Sequence, residues 1–171
     1  LNIVTPQDFG NAGAGGDDTT YFSAWLQAIA DAEGVGNWVI PPGNYNIGDL
    51  GMLSMHSSET GTFGYCAGPI TIHAYGAKFT HTGTGNMFSF WGQPGTDHYL
   101  NWFGGIFVGN ANSISLMRCR DASRFNIWPD RIEVNGTLSW AGATDTYYAC
   151  GILIQNFRAW GENISIIPRQ L

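Results

Sequence analysis

Cleavage of a glycosidic bond needs two carboxylates. A retaining hydrolase holds its pair about 5–5.5 Å apart and an inverting one about 6.5–9.5 Å apart. The second half of the chain offers Asp97, Asp121, Asp130, Glu133, Asp145 and Glu162. Glu133 stands between Ile132 and Val134, so it points away from the side they face. Asp121 follows Arg118 and Arg120, which flank Cys119 and face away from it. Asp130 lies near the start of its strand. If neighbouring strands stack about 4.8 Å apart, two outward carboxylates on adjacent strands can form such a pair. Asp121, Asp130 and Glu133 are therefore the candidate catalytic residues. The plainer alternative is that they are solvated or cap turns. Elimination chemistry on a uronate would want a calcium-holding acidic cluster and a base. Arg118, Arg120, Arg124 and Arg131 lie close by, but no dense aspartate cluster of calcium-loop type accompanies them. Pairing of those arginines with carboxylates is again the plain alternative.

Flat rings are the second feature with chemical meaning. Trp91, Tyr99, Trp102, Trp128, Trp140, Tyr147, Tyr148 and Trp160 fall largely in or beside turns. Of these, Trp102, Trp128, Trp140, Tyr147, Tyr148 and Trp160 are the candidate carbohydrate-binding residues. Filling turn corners or a subunit interface competes with that role. Metal chemistry has no support: His56, His73, His81 and His98 are scattered without a His-x-x-x-His or His-Glu spacing. No Gly-x-Ser-x-Gly elbow backs Ser-His-Asp catalysis. Cys66, Cys119 and Cys150 are odd in number and widely spaced, as buried thiols of a β core would be. No cofactor is implied.

The composition describes the body that must position these groups. Hydrophobic residues make up 44% of the 171, charged ones only 12%, and Lys78 is the single lysine. With 24 glycines and 14% aromatics, the balance favours turn-rich all-β structure and argues against disorder. A net charge of −6 lacks the basic patches that nucleic acid requires. No apolar run is long enough for a membrane-spanning helix.

Residues 8–47 carry the clearest local signals. Phe22, Trp25, Leu26, Ile29 and Ala30 recur at three and four residues, which predicts an amphipathic helix. Asp17, Asp18, Thr19 and Thr20 can cap its start, without a full capping box. Gly34 is its stop. Trp38-Val39-Ile40 reads as a strand ended by Pro41-Pro42-Gly43, and Asn44–Ile47 as a second strand. Asp8-Phe9-Gly10, then Gly16-Asp17-Asp18-Thr19 opening a helix, then Val39-Ile40-Pro41-Pro42-Gly43-Asn44-Tyr45, resembles the N-terminal signature of pectate-lyase-like right-handed β-helices. Bacteriophage tailspikes and polysaccharide depolymerases belong to that superfamily. The departures are a loop, Asn11–Gly16, without the usual lysine, and an unusual Trp25 in the helix.

The resemblance implies an all-β fold, a right-handed parallel β-helix whose N-terminal amphipathic helix caps the first rung. Residues 1–47 would form the cap and residues 48–171 the rungs, continuing past Leu171. It also implies a homotrimeric tailspike or tail-fibre segment in the virion, alongside other tail proteins. Such a protein would recognise capsule or lipopolysaccharide and, if an enzyme, depolymerise it. A secreted polysaccharide lyase or glycoside hydrolase and a non-enzymatic virion connector are the alternatives.

The rest of the chain supplies short alternating strands. Residues 48–68 are the least regular and are expected to leave the wall and pack on the helix. Ile70–Ala74, Lys78–His81, Met87–Trp91, Tyr99–Phe103 and Ile106–Val108 come next, with a tight bend at Gly104-Gly105. Ile114 and Leu116, Phe125 and Ile127, Ile132 and Val134, Ile152 and Ile154, and Ile164 and Ile166 each share a parity. Residues 105–108 and 151–154 lie 46 apart, compatible with two rungs of about 23 residues. Periodicity alone leaves a sandwich or jelly roll open. The chain runs out of a strand at Leu171 with no amphipathic cap, so a longer parent chain or a covering subunit is expected.

Overall fold

The computed structural model describes residues 2–57, 61–92, 99–111, 113–120, 124–134, 150–155 and 165–166. Helix α1 spans Thr19–Asp31 and buries Phe22, Trp25, Leu26, Ile29 and Ala30, the face its spacing predicts. Gly34 comes after it with φ 78°. Its N–H closes on the Ile29 carbonyl at 2.9 Å, which glycine does without the penalty a Cβ would bring.

The described strands are β1 (Ile3–Val4), β2 (Asn37–Val39), β3 (Gly43–Ile47), β4 (Met52–Ser54), β5 (Ile70–His73), β6 (Ala77–His81), β7 (Asn86–Trp91), β8 (Leu100–Phe103), β9 (Ile106–Gly109), β10 (Ser115–Arg120), β11 (Phe125–Trp128), β12 (Arg131–Val134), β13 (Cys150–Gln155) and β14 (Ser165–Ile166). They form three sheets. The first runs β1-β2-β5-β8-β11-β14, the second β3-β6-β9-β12 and the third β4-β7-β10-β13. Every described strand pair is parallel. From β2 to β13, consecutive strands visit the three sheets in turn. The crossover that a parallel pair requires is thus made through the other two sheets. The chain is mostly strand with one helix, and its parallel pairing differs from the antiparallel pairing of a sandwich or jelly roll.

Two expectations about spacing need correction. Equivalent positions in the first sheet are 30 residues apart from Thr71 to Asn101 and 25 apart from Asn101 to Asn126, so the repeat is neither constant nor 23. Residues 105–108 and 151–154 are not equivalent either: β9 lies in the second sheet and β13 in the third. Both segments read as glycine plus three apolar residues, and such a short apolar pattern does not say which sheet a strand joins. The stretch 48–68 also holds a strand that its composition hid. Met52–Ser54 pairs with Ser89–Trp91. The segment after β4 does pack on the helix: Gln27 Nε2 donates to the Phe63 carbonyl at 3.0 Å, and the Cys66 sulfur lies 3.9 Å from the Ile29 carbonyl.

The core lies between the sheets and is largely aromatic. Phe79 stacks on Tyr45 at 5.8 Å, meets Phe107 at 5.1 Å and meets Phe88 edge-on at 5.6 Å. Phe22 of α1 enters this cluster, edge-on to Tyr45 at 5.3 Å and to Phe88 at 6.0 Å. Such ring pairs add about 0.5–1.5 kcal/mol each beyond the area they bury. The bend between β8 and β9 needs its two glycines. Gly104 and Gly105 have φ of 82° and 90°. A Cβ on Gly104 would come 2.9 Å from the Tyr75 backbone, and one on Gly105 2.7 Å from the Phe79 ring.

Candidate functional site

Strands β5, β8 and β11 read Ile-Thr-Ile-His, Leu-Asn-Trp-Phe and Phe-Asn-Ile-Trp. In each, the first and third residues are buried and the second and fourth are half-exposed. The register aligns them residue for residue: Thr71, Asn101 and Asn126 in one outward column, and His73, Phe103 and Trp128 in the next. The columns hold together by contact. Phe103 stacks on His73 at 5.2 Å and on Trp128 at 4.7 Å, with 10° between planes in both pairs. Asn126 Nδ2 donates to Asn101 Oδ1 at 2.8 Å, and Asn101 Nδ2 to Thr71 Oγ1 at 3.4 Å. Tyr75, 46% exposed, extends the aromatic column sideways, 6.2 Å from His73. The outer face of the first sheet thus presents amide and hydroxyl groups beside rings, with no carboxylate, lysine or arginine on β2, β5, β8 or β11.

This splits the aromatic candidates. Trp128 lies on the outer face with one side of its ring against Phe103. Trp102 does not: it is fully buried, its ring 4.9 Å from Phe88 and its indole N–H donating to the Gly104 carbonyl at 3.1 Å. A sugar cannot reach it, so its assignment to carbohydrate binding is corrected to core packing. The alternation was already in the sequence, because Trp102 shares parity with Leu100 and Trp128 does not share it with Phe125 or Ile127. Trp140, Tyr147, Tyr148 and Trp160 lie outside the described residues. His73, Phe103, Asn101 and Asn126 are the site residues that sequence reasoning missed. The aligned pattern of three four-residue strands was the signal that could have found them.

The candidate carboxylates have other partners. Asp121 lies outside the described residues. Asp130 accepts the Gly105 N–H on Oδ2 at 2.9 Å, while its own N–H donates to the Gly105 carbonyl, also at 2.9 Å. It ties the turn before β12 to the turn before β9. Glu133 points outward as its neighbours imply and is ion-paired with Arg131 two residues before it. Arg118 and Arg120 face away from buried Cys119, and Arg120 lies over the Trp91 ring with 4.0 Å to its centroid.

One constellation was not legible at all. His81 Nε2 meets Asp49 Oδ1 at 2.9 Å and His81 Nδ1 meets Ser113 Oγ at 2.7 Å. A carboxylate only accepts, so Nε2 carries the proton and Nδ1 takes the Ser113 hydroxyl hydrogen. Ser113 Oγ in turn accepts the Asn110 N–H at 3.1 Å. The three residue types are those of a hydrolase relay. Ser113 and His81 are nevertheless buried, and the serine hydroxyl is occupied on both its donor and acceptor sides. The arrangement ties the end of β6 to the segments ahead of β4 and β10 and leaves no approach for a substrate carbonyl. Burial holds the His81 imidazole below its ordinary pKa, only partly opposed by Asp49.

Among the described residues no group of three His, Cys, Asp or Glu side chains could hold a metal ion, and no helix is long and apolar enough to cross a membrane. Comparison with protein-family models, with curated proteins and with solved structures finds no match.

Proposed function

We propose that the chain is a segment of a bacteriophage tailspike or tail fibre that recognises a host surface polysaccharide. In this reading the three sheets are the walls of a right-handed parallel β-helix of the pectate-lyase-like superfamily, with α1 as its end cap. The regular visiting order of the strands and the insertion of Phe22 into the interior support that architecture. The N-terminal pattern around Asp8–Tyr45 supports the superfamily. A solenoid turn buries its apolar side only against neighbours, which agrees with a core shared by all three sheets. Assembly as a homotrimer with other tail proteins belongs to the same proposal.

The observation that carries sugar recognition is the outer face of the first sheet, where stacked rings run beside an amide column. Recognition is favoured over cleavage for the described residues, since Asp130 is bonded to the Gly105 turn and Glu133 to Arg131. The test is incubation of the protein with purified capsular polysaccharide and lipopolysaccharide. Retention without shortening is the expected result. Shortened products would make the protein a depolymerase, and neither outcome with any such glycan would leave the structural connector.

A further inference from the structure

Resting on the polysaccharide-recognition reading above, we propose that the outer face of the first sheet is a track for an uncharged glycan chain. The chain lies across the strands, along the two columns. Three properties of the face lead there.

The first is charge. The net charge of the protein is −6, and the outward positions Thr71, His73, Asn101, Phe103, Asn126 and Trp128 include no arginine or lysine to neutralise a uronate or sialate. Arg118 and Arg120 lie on the third sheet and Arg131 on the second, while Arg124, exposed and two residues before Asn126 on the same outward side, borders the amide column at a single point and cannot pair with successive carboxylates along it. An acidic glycan would lose water from its carboxylates along the columns without gaining a cation there, which is unfavourable.

The second is unspent hydrogen-bonding capacity. An asparagine amide has two donors and a two-lone-pair acceptor, and a threonine hydroxyl has one donor. The Thr71–Asn101–Asn126 chain uses one N–H of each amide and one lone pair each of Thr71 and Asn101. The Asn126 carbonyl oxygen, the second N–H of each amide and the Thr71 hydroxyl hydrogen remain to serve sugar hydroxyls, which are themselves both donors and acceptors. The internal bonds hold the amides in place, so less rotamer freedom is lost on binding.

The third is repetition. Adjacent strands advance by about 4.8 Å, a step close to one sugar unit in an extended chain, and a hydroxyl or amide side chain beside a ring recurs at each step. The rings stack on one another and so turn edges outward. They form an apolar flank for sugar C–H groups, with Tyr75 widening it at one end.

The experiment uses the intact protein with uncharged hexasaccharides derived from dextran, mannan and galactan, and with hexagalacturonate as the acidic counterpart. NMR follows the side-chain amides of Asn101 and Asn126 and the Trp128 indole N–H. At least one uncharged hexasaccharide is expected to shift these signals saturably and hexagalacturonate to leave them still. Trp128→Ala is expected to weaken binding about tenfold, the weight of one lost ring contact, while Lys78→Ala on the second sheet changes nothing. Should Trp128→Ala fail to fold, Asn126→Ala and Thr71→Val carry the comparison. Still signals with all uncharged hexasaccharides, or preference for hexagalacturonate, overturn the track. If capsular polysaccharide is retained in that case, recognition survives on another face; if no glycan of either kind binds, both fail together.

Discussion

Asp18 and Asn46 bind each other twice. The Asp18 N–H donates to the Asn46 carbonyl at 2.8 Å, and the Asn46 N–H donates to Asp18 Oδ2 at 2.9 Å. Asp18 Oδ1 also accepts the Gly13 N–H at 2.8 Å. A residue placed to cap α1 is therefore spent on holding the glycine-rich approach and β3 together, and makes no side-chain cap bond. Asp17 serves the helix end instead, through the Thr19 N–H at 3.0 Å. Water can satisfy an exposed helix end, but the buried carboxylate of Asp18 needs protein donors.

Asp18→Ala should therefore cost more than loss of an ordinary cap. It strands the Asn46 N–H within β3 and releases the Gly13 N–H to water, and about 2–3 kcal/mol of stability should go with the change. Asp17→Ala should cost about 1 kcal/mol or less. Chemical denaturation of the two variants measures the difference, and equal losses would contradict the assignment.

Acid should loosen the Asp49–His81–Ser113 tie. The folded pKa of His81 is lowered by burial, so the folded state binds a proton less readily than the unfolded chain. The stability His81 contributes is then fully present above the unfolded imidazole pKa of about 6.5, and is lost as pH falls from there through the folded value. Protonation would also force Ser113 to give up its bond to Nδ1 as donor. Denaturation midpoints across pH 7.5 to 5, values chosen to bracket that of about 6.5, should fall for the native protein and fall less for His81→Gln. Because Asp49 pulls the pKa up, Asp49→Ala should lower it further, as read by NMR titration of the ring.

Gly104 and Gly105 should resist substitution. Alanine at either position meets both a left-handed backbone and a crowded Cβ position, for a loss of about 1–3 kcal/mol each. Gly64 is the control: its φ is also positive at 91°, yet nothing lies within 4 Å of the place its Cβ would take. Gly64→Ala should lose only the smaller, conformational part, and thermal melts compare the three.

Phe22→Ala should unseat the helix from the core. It removes a fully buried ring with four edge-on ring neighbours, a change of about 3–5 kcal/mol. The near-ultraviolet circular dichroism of the aromatic cluster should weaken along with the denaturation midpoint.

The thiols should stay silent until the protein opens. Cys66 is pushed up to about 11 by burial, and burial raises Cys119 further. In a Cys150→Ser background, a water-soluble disulfide reagent at pH 8, well below that value of about 11, should label neither thiol in the folded state and both after denaturation. Rapid labelling under native conditions would show that the packing around Ile29 and Gly68 opens readily.

What the sequence determined by itself is what is written within a few neighbouring residues. The α1 face from Phe22 to Ala30, the Gly34 stop, the Gly104-Gly105 bend and the outward side of Glu133 all come from backbone periodicity and from glycine's missing Cβ. Tertiary structure decided which strand lies beside which. The separation between paired strands varies, 30 residues in one case and 25 in the next, because the connections between strands differ in length, so no fixed period marks the partners. Only that pairing brings His73, Phe103 and Trp128 into one stack, puts Trp102 out of a sugar's reach, and gathers Asp49, His81 and Ser113 from three separate segments. Side-chain direction is a property of one strand; a site made of columns is a property of several, and exists only after the chain has closed on itself.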